Sequence, residues 1–307
     1  MESSLKNGNN NPHYAIQGSP PPADTSFVKR KFLDIPYAKL SNSQKLDIYL
    51  PDHGDGPFPV IVSIHGGAFM GCDKGDLQLL PMLEGLKQGF AVISINYRMS
   101  GEAKFPALVQ DAKAAIRWIR GNAAKYELNP EKLVAWGGSA GGYLSSMLAV
   151  SAGVKELEDL NLGYPEESSA IQAAVVWYAP TNFLKMDEQL SELGLLAPIG
   201  FRHTESNSPE SLLLGDTITK IPAKVRVANP ETYIGDFVPP MLFQHGRRDS
   251  VVPVMQSIEF VNKLKGAFGE ERVILEIFES AEHADPEFET QENIHRVFRF
   301  LKKCDFC

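Results

Sequence analysis

Cysteine is scarce in this chain, with three residues among 307. An odd number that small in a long chain does not describe a disulfide framework. Cys304 and Cys307 have C-x-x-C spacing, but a zinc site wants four ligands and no second pair accompanies them. We expect no metal there and read the pair as part of a frayed tail. A surplus of positive charge is missing too. The formal net charge is −8, so the basic footprint of a nucleic-acid binder is absent and no nucleic-acid partner is expected. Long apolar runs are also lacking: nowhere do about 18 consecutive apolar residues occur, so no membrane span is expected. The opening residues MESSLKNG contain no apolar h-region, and no signal peptide is expected in the chain as given. That leaves open both a cytoplasmic protein and a secreted one whose signal has been removed.

What is present is ordinary globular material. With 43% hydrophobic and 22% charged residues the chain can bury a large core. Residues 1–26 are rich in Asn, Gly, Ser and Pro and read as a flexible or surface-wrapping arm. From Phe27 strand-like and helix-like stretches alternate. Residues 27–35 and 45–50 alternate as an antiparallel hairpin, and residues 60–64, 90–96, 131–136, 171–178, 240–245 and 272–278 are short apolar runs of buried strands. Helical patterns fill residues 77–88, 105–126, 139–152, 253–268 and 290–301. In the second of these Leu108, Ala112, Ala115, Ile116 and Ile119 fall on one side. Residues 181–236 read as irregular, and so long a segment between two core strands is usually functional. The expectation is one α/β domain over residues 27–307, a mostly parallel central sheet with helices on both faces, an antiparallel start and a cap inserted at 181–236.

The stretch Gly137-Gly138-Ser139-Ala140-Gly141 has the G-x-S-x-G pattern between an apolar run and a helical one. In a nucleophile elbow the Ser sits on a strained strand-to-helix turn, and small residues give the turn its clearance. A Ser hydroxyl needs an adjacent base. Seven histidines are available. His13 lies in the arm, His53 in a polar turn, His203 in the irregular segment and His295 in the last helix. His65, His245 and His283 follow strands, so they belong at the edge where functional loops of a parallel sheet gather. The acid decides among them. Asp249 follows the strand that ends at His245, and it can hold the imidazole of a His on the next loop. Ser139, Asp249 and His283 then stand in the chain order of α/β-hydrolase triads. Asp285 is the runner-up acid, and Arg247 and Arg248 stand close enough in sequence to depress the Asp249 carboxyl. Gly66 and Gly67 let the chain after His65 approach a ligand closely, which suits an oxyanion loop completed by the Ala140 N–H.

On His65-Gly66-Gly67-Ala68-Phe69, Asn96-Tyr97-Arg98, Asp111, the Ser139 elbow, Asn229-Pro230, His245-Gly246-Arg247-Arg248-Asp249 and His283, the chain resembles α/β-hydrolase-fold carboxylesterases. The likeness is to the acetyl-esterase, feruloyl-esterase and hormone-sensitive-lipase-like group. It implies Ser139 as nucleophile, His283 as base, Asp249 as acid and oxyanion N–H groups from Gly67, Ala68 and Ala140. Two departures from the lipase pattern, Ala68 in place of a third glycine and Gly138 before the nucleophile, fit the carbohydrate-acyl branch better. Arg98 is expected to anchor on a carboxylate such as Asp111, and His65 to hold its own loop. Phe69, Leu193, Leu195 and Leu196 are candidate pocket residues, and Cys72 is given no chemistry.

The expected activity is two-step hydrolysis of short-chain acyl esters, with acetyl or feruloyl groups on plant carbohydrate as candidates and a small-molecule or carbohydrate ester as partner. It needs no metal or organic cofactor. An arylformamidase or peptidase on the same fold is the alternative. A non-catalytic ligand receptor is a further one, although such proteins tend to lose the Ser or the His.

Overall fold

The computed structural model of the chain describes residues 20–198 and 202–306. Residues 1–19 of the expected arm, with His13 and Tyr14, and Cys307 at the tail lie outside them. Among the described residues eight strands form one sheet. They are β1 (Arg30–Pro36), β2 (Lys45–Leu50), β3 (Phe58–Ile64), β4 (Ala91–Ile95), β5 (Leu128–Gly138), β6 (Ala173–Trp177), β7 (Met241–Gly246) and β8 (Val273–Phe278). Their order across the sheet is β1-β2-β4-β3-β5-β6-β7-β8. β2 is antiparallel to both neighbours, and the pairings from β4 through β8 are parallel. This is the sheet of the α/β-hydrolase fold.

Helices α1 (Leu80–Leu83), α2 (Ala107–Gly121) and α3 (Ala140–Val150) precede β6; α4 (Met186–Glu192), α5 (Pro209–Leu214) and α6 (Pro222–Ala228) lie between β6 and β7. Helices α7 (Met255–Phe268) and α8 (Gln291–Lys303) follow β7 and β8. Successive strand side chains point to opposite faces. In β3, Val60, Val62 and Ile64 join a core with Ile116 of α2, Leu144 of α3 and Phe260 of α7. Ile61 points the other way, into a core with Met82 of α1 and Val297 and Leu301 of α8. Both faces are therefore covered, which is why the strand text is nearly continuous apolar rather than alternating. No helix among the described residues is long and apolar enough to cross a membrane.

The helical pattern departs from expectation in three places. Residues 77–88 are not one helix: 3-10 turns at Leu77–Leu79 and Glu84–Gln88 flank α1. Gly85 lies so near the sheet that a Cβ there would come within 2.5 Å of Ile61 Cδ1, and Gly89 ends the stretch at φ +81°. The helix expected over 105–126 stops at Gly121, where the Tyr164 ring occupies the space of a Cβ. Asn122 then donates to Trp118 O (2.9 Å) and to Tyr164 Oη (2.8 Å), and a separate 3-10 turn, Ala123–Tyr126, follows. Residues 181–236 are not irregular but hold α4, α5 and α6, each of seven residues or fewer. Helices that short carry too little periodicity to be read from sequence. The described end of the arm lies on the body: Pro22 bridges Asp76, and Ala23 N donates to Gly75 O at 2.8 Å.

Beneath α2 a buried charge cluster ties this helix to the segment before β6. Lys113 and Arg117 both pair with Glu158, which also accepts from Ser169. Lys113 further donates to Ser151 O, and Arg117 to Asp159 O and Gly163 O. Two cations share one carboxylate, so removing it strands both in a desolvated site. Glu158→Gln should cost on the order of 3 kcal/mol of stability, read as a lowered urea midpoint at unchanged slope; an unchanged midpoint would deny the cluster that role.

Candidate active site

Parallel register brings the strand ends to one edge. Ile64 pairs with Gly137, Gly138 with Trp177, Trp177 with Gln244 and Gly246 with Phe278. The residues that follow, from His65, Ser139, Tyr178, Arg247 and Glu279 onward, therefore line the same rim, as ligand sites of open α/β sheets do.

Ser139 sits between β5 and α3 with φ +54° and ψ −120°, a conformation that strains a residue bearing a Cβ. Close packing holds it there. A Cβ on Gly137 would lie 2.4 Å from Ile64 O, and one on Gly141 would lie 1.9 Å from the same atom. Only glycine permits that approach, and it presses the turn against β3. Ser139 N donates to Trp177 O (3.0 Å) and Ser139 O accepts from Tyr143 N (2.9 Å). Gly138, the departure from the lipase pattern, has its own reason: a Cβ there would meet Tyr178 Oη at 2.5 Å. The Tyr178 ring fills that space and packs edge-on against His283, with centroids 4.9 Å apart at 68°.

The three residues expected to act together are within hydrogen-bond reach. His283 Nδ1 donates to Asp249 Oδ2 at 2.7 Å, and its Nε2 accepts from Ser139 Oγ at 3.1 Å. Asp249 Oδ1 accepts from the N–H groups of Val251 (2.9 Å) and Val252 (2.8 Å). Asp285 does not compete: it caps the 3-10 turn at Pro286–Glu289 by accepting from Glu287 N. Arg247 turns away from the acid to pair with Glu279 at the surface, and the groups that lower Asp249 are two histidines. Burial alone would raise the Asp249 carboxyl. Attraction to His283 and hydrogen bonds from His245 and His283 outweigh it and hold the group well below the usual carboxylate range.

The second of those histidines was not legible as a partner of the acid. His245 is fully buried, and its Nε2 lies 2.8 Å from Val252 O and 3.3 Å from Asp249 Oδ2. A carbonyl only accepts, so Nε2 carries the proton, and Nδ1 accepts from Ser257 Oγ at 2.7 Å. Placement after a strand and before Gly246 was the signal that singled it out, but that signal could not say which nitrogen faced what.

The loop after β3 is fixed from both sides. Gly66 N donates to Gln78 Oε1 (2.8 Å), and Gln78 is itself held by Asp76. Tyr97 Oη donates to His65 O (2.9 Å) and its ring stacks on the His65 imidazole at 4.7 Å. Arg98 forks onto Asp111, with Nε and Nη2 each 2.8 Å from a carboxylate oxygen. Gly67, Ala68 and Phe69 all have positive φ, +111°, +53° and +63°. A Cβ on Gly67 would stand 2.2 Å from Gly71 O, so the turn closes only with glycine there. Cys72 lies under this turn, with burial pushing its thiol up to about 12. It is a poor nucleophile there.

A cavity of about 30 Å³ opens beside the serine, lined by Ser139, Ala68, Phe69, Ala140, Val251 and Val252, with Pro180 and Pro209 completing its apolar part. Of the candidate pocket residues Phe69 lines it, whereas Leu193, Leu195 and Leu196 do not. Those leucines lie in the turn after α4, where Leu196 is 88% exposed. The insertion instead contributes two polar side chains to the wall, His203 and Glu210, both nearly fully buried. His203 Nε2 donates to Val251 O (2.9 Å) and Nδ1 is 3.1 Å from Glu210 Oε2. Burial opposes a charge on His203, yet the Glu210 carboxylate outweighs it and pushes the imidazole up to about 9. Nothing in the sequence around either residue marks them, since their meaning comes only from the fold of the insertion.

Comparison with known proteins places this geometry in context. A protein of Mycobacterium tuberculosis named as a probable carboxylic ester hydrolase, LipM, is 30% identical over 237 residues, which is 76% of this chain and 51% of that protein. The chain spans about half the length of the curated relatives it matches first. Among solved structures, a truncated carbohydrate esterase from gut microbiota is 31% identical with a TM-score of 0.80, covering 92% of this chain and 98% of that one. A bifunctional GH43-CE protein of Bacteroides eggerthii is 33% identical with a TM-score of 0.79, covering 89% of this chain and 35% of that one. The BD-FAE family model matches residues 46–264, from β2 into α7 and including both Ser139 and Asp249, and the chain accordingly belongs to the BD-FAE family of α/β-hydrolase-fold proteins.

Proposed function

We propose that this chain is a serine carboxylic-ester hydrolase for short acyl groups, acting on small-molecule or carbohydrate esters. The observation that carries the reading is the unbroken relay from Asp249 through His283 to Ser139 at 2.7 and 3.1 Å, ending at a cavity of about 30 Å³. The names of its relatives as ester hydrolases and of its structural neighbour as a carbohydrate esterase lean the same way.

In this mechanism His283 Nε2 takes the Ser139 proton as Oγ attacks the ester carbonyl. Asp249 keeps the proton of Nδ1 in place and stabilises the imidazolium. The developing oxyanion turns toward the N–H groups of Gly67, Ala68 and Ala140; among the described residues none of the three has an acceptor of its own. Ala140 opens α3, so the positive end of that helix faces the same charge. His283 then protonates the leaving alcohol, and in the second half it activates water to release the acid and restore Ser139. No metal or organic cofactor takes part in these steps.

Residues 181–236 serve as a cap. They supply His203, Pro209 and Glu210 to the cavity wall, so the insertion shapes what the site accepts. The cavity has room for a group of one or two water volumes. That scale suits a short acyl group such as acetyl.

Ser139→Ala should lower kcat for p-nitrophenyl acetate by at least about a thousandfold while thermal unfolding stays unchanged; undiminished turnover would sink the assignment. Asp249→Asn should lose about 10⁴ in kcat because the imidazole adopts the wrong tautomer, and a loss under tenfold would move the acid elsewhere. Along a series from acetate to octanoate the rate should fall with chain length, whereas octanoate turning over fastest would refute the short-acyl reading.

A further inference from the structure

Which half of an ester the small cavity receives follows from proton transfer. The leaving alkoxide takes its proton from His283 Nε2, so the alcohol must lie on the His283 side of Ser139. The cavity is lined by Ser139 and by Ala68 and Ala140 of the proposed oxyanion hole, and His283 is not among its walls. It is therefore the acyl side.

Most of that lining is apolar, as Phe69, Val251, Val252 and two prolines would suggest for an alkyl group. His203 and Glu210 break the pattern. They are 2% and 3% exposed, and protein rather than solvent stands behind them. Their positions are held by partners on other segments and on the cavity wall itself. The His203 backbone N donates to Asp187 Oδ1 (2.9 Å), and its ring is tied to Val251 O. The helix bearing Glu210 starts on Ser208, whose Oγ accepts from Ser211 N at 3.1 Å. A longer alkyl chain would have to displace this pair or press against it, and neither group gains anything from contact with a methylene. An apolar residue in either position would favour longer chains, so a buried polar pair here acts against them.

We propose that the His203–Glu210 pair determines acyl length, closing the acyl pocket behind an acetyl group. The proposal rests on the ester-hydrolase reading and adds its specificity-determining residues.

The test compares kcat/KM for p-nitrophenyl acetate, propionate and butyrate across variants. Glu210→Ala should raise the butyrate-to-acetate ratio about tenfold or more, the range one or two methylenes command in a pocket. Glu210→Gln keeps the side-chain volume and should leave the ratio near that of the unmodified protein. Should Glu210→Ala fail to fold, Glu210→Asp shortens the wall by one carbon with its charge retained and should raise propionate relative to acetate. A folded Glu210→Ala with an unaltered ratio overturns the proposal, as does an unmodified protein that prefers butyrate.

A second measurement separates the two readings. p-Nitrophenyl alkylphosphonates lose p-nitrophenolate as Ser139 Oγ bonds to phosphorus, with the alkyl group lying where the acyl chain would. Mass spectrometry of the intact protein should show methylphosphonate labelling faster than butylphosphonate, with the gap closing in Glu210→Ala. Equal rates in the unmodified protein would refute the pocket assignment. Selective labelling without hydrolysis of any ester would instead refute the ester-hydrolase reading and leave the pocket assignment standing.

Discussion

A single carboxylate, that of Asp249, organises the rim of this molecule. It is wholly buried, and an unpaired charge there would be too costly to keep. The fold meets that constraint by gathering four donors around it: His283 from the loop after β8, His245 from the end of β7, and the N–H groups of Val251 and Val252. The same two valines turn their carbonyls outward to receive His203 and His245. One dipeptide thus couples the acid to both the cavity wall and the strand below. The imidazole is held by this acid on one side while its Nε2 meets Ser139 Oγ on the other.

The other side of the rim is held by steric pressure. Ser139, Ala68 and Phe69 all hold positive φ, each strained position costing on the order of 1–3 kcal/mol, while Gly67 takes its positive φ without that cost. Such conformations persist only where neighbours leave no alternative. Gly137 and Gly141 are clamped on Ile64 O, while Gln78 and Tyr97 hold the backbone of Gly66 and His65. The parallel strands β3, β5 and β6 are the rigid base on which both turns are built.

Much of this was readable beforehand, and for definite reasons. The inner strands are buried on both faces, so they appear as short apolar runs whatever surrounds them. Ser139, Asp249 and His283 each follow such a run, and parallel register alone carries them to one edge. Helix continuity was harder. The patterns over 77–88 and 105–126 are helical, but Gly85 against Ile61 and Gly121 against Tyr164 interrupt them for reasons that lie in other elements. The same holds for the leucines after α4: apolar composition suggested a pocket wall, whereas His203 and Glu210 occupy it.

The sequence by itself determined the sheet, the sharp turn at Ser139 and the order of the polar residues along the rim, because local periodicity and glycine spacing act over a few residues. Tertiary structure alone decided the use of Gly138, which makes room for Tyr178, and the two-histidine environment of Asp249. It also decided which residues of the insertion face the cavity. These depend on distances between segments far apart in the chain, and no local pattern encodes a distance of that kind.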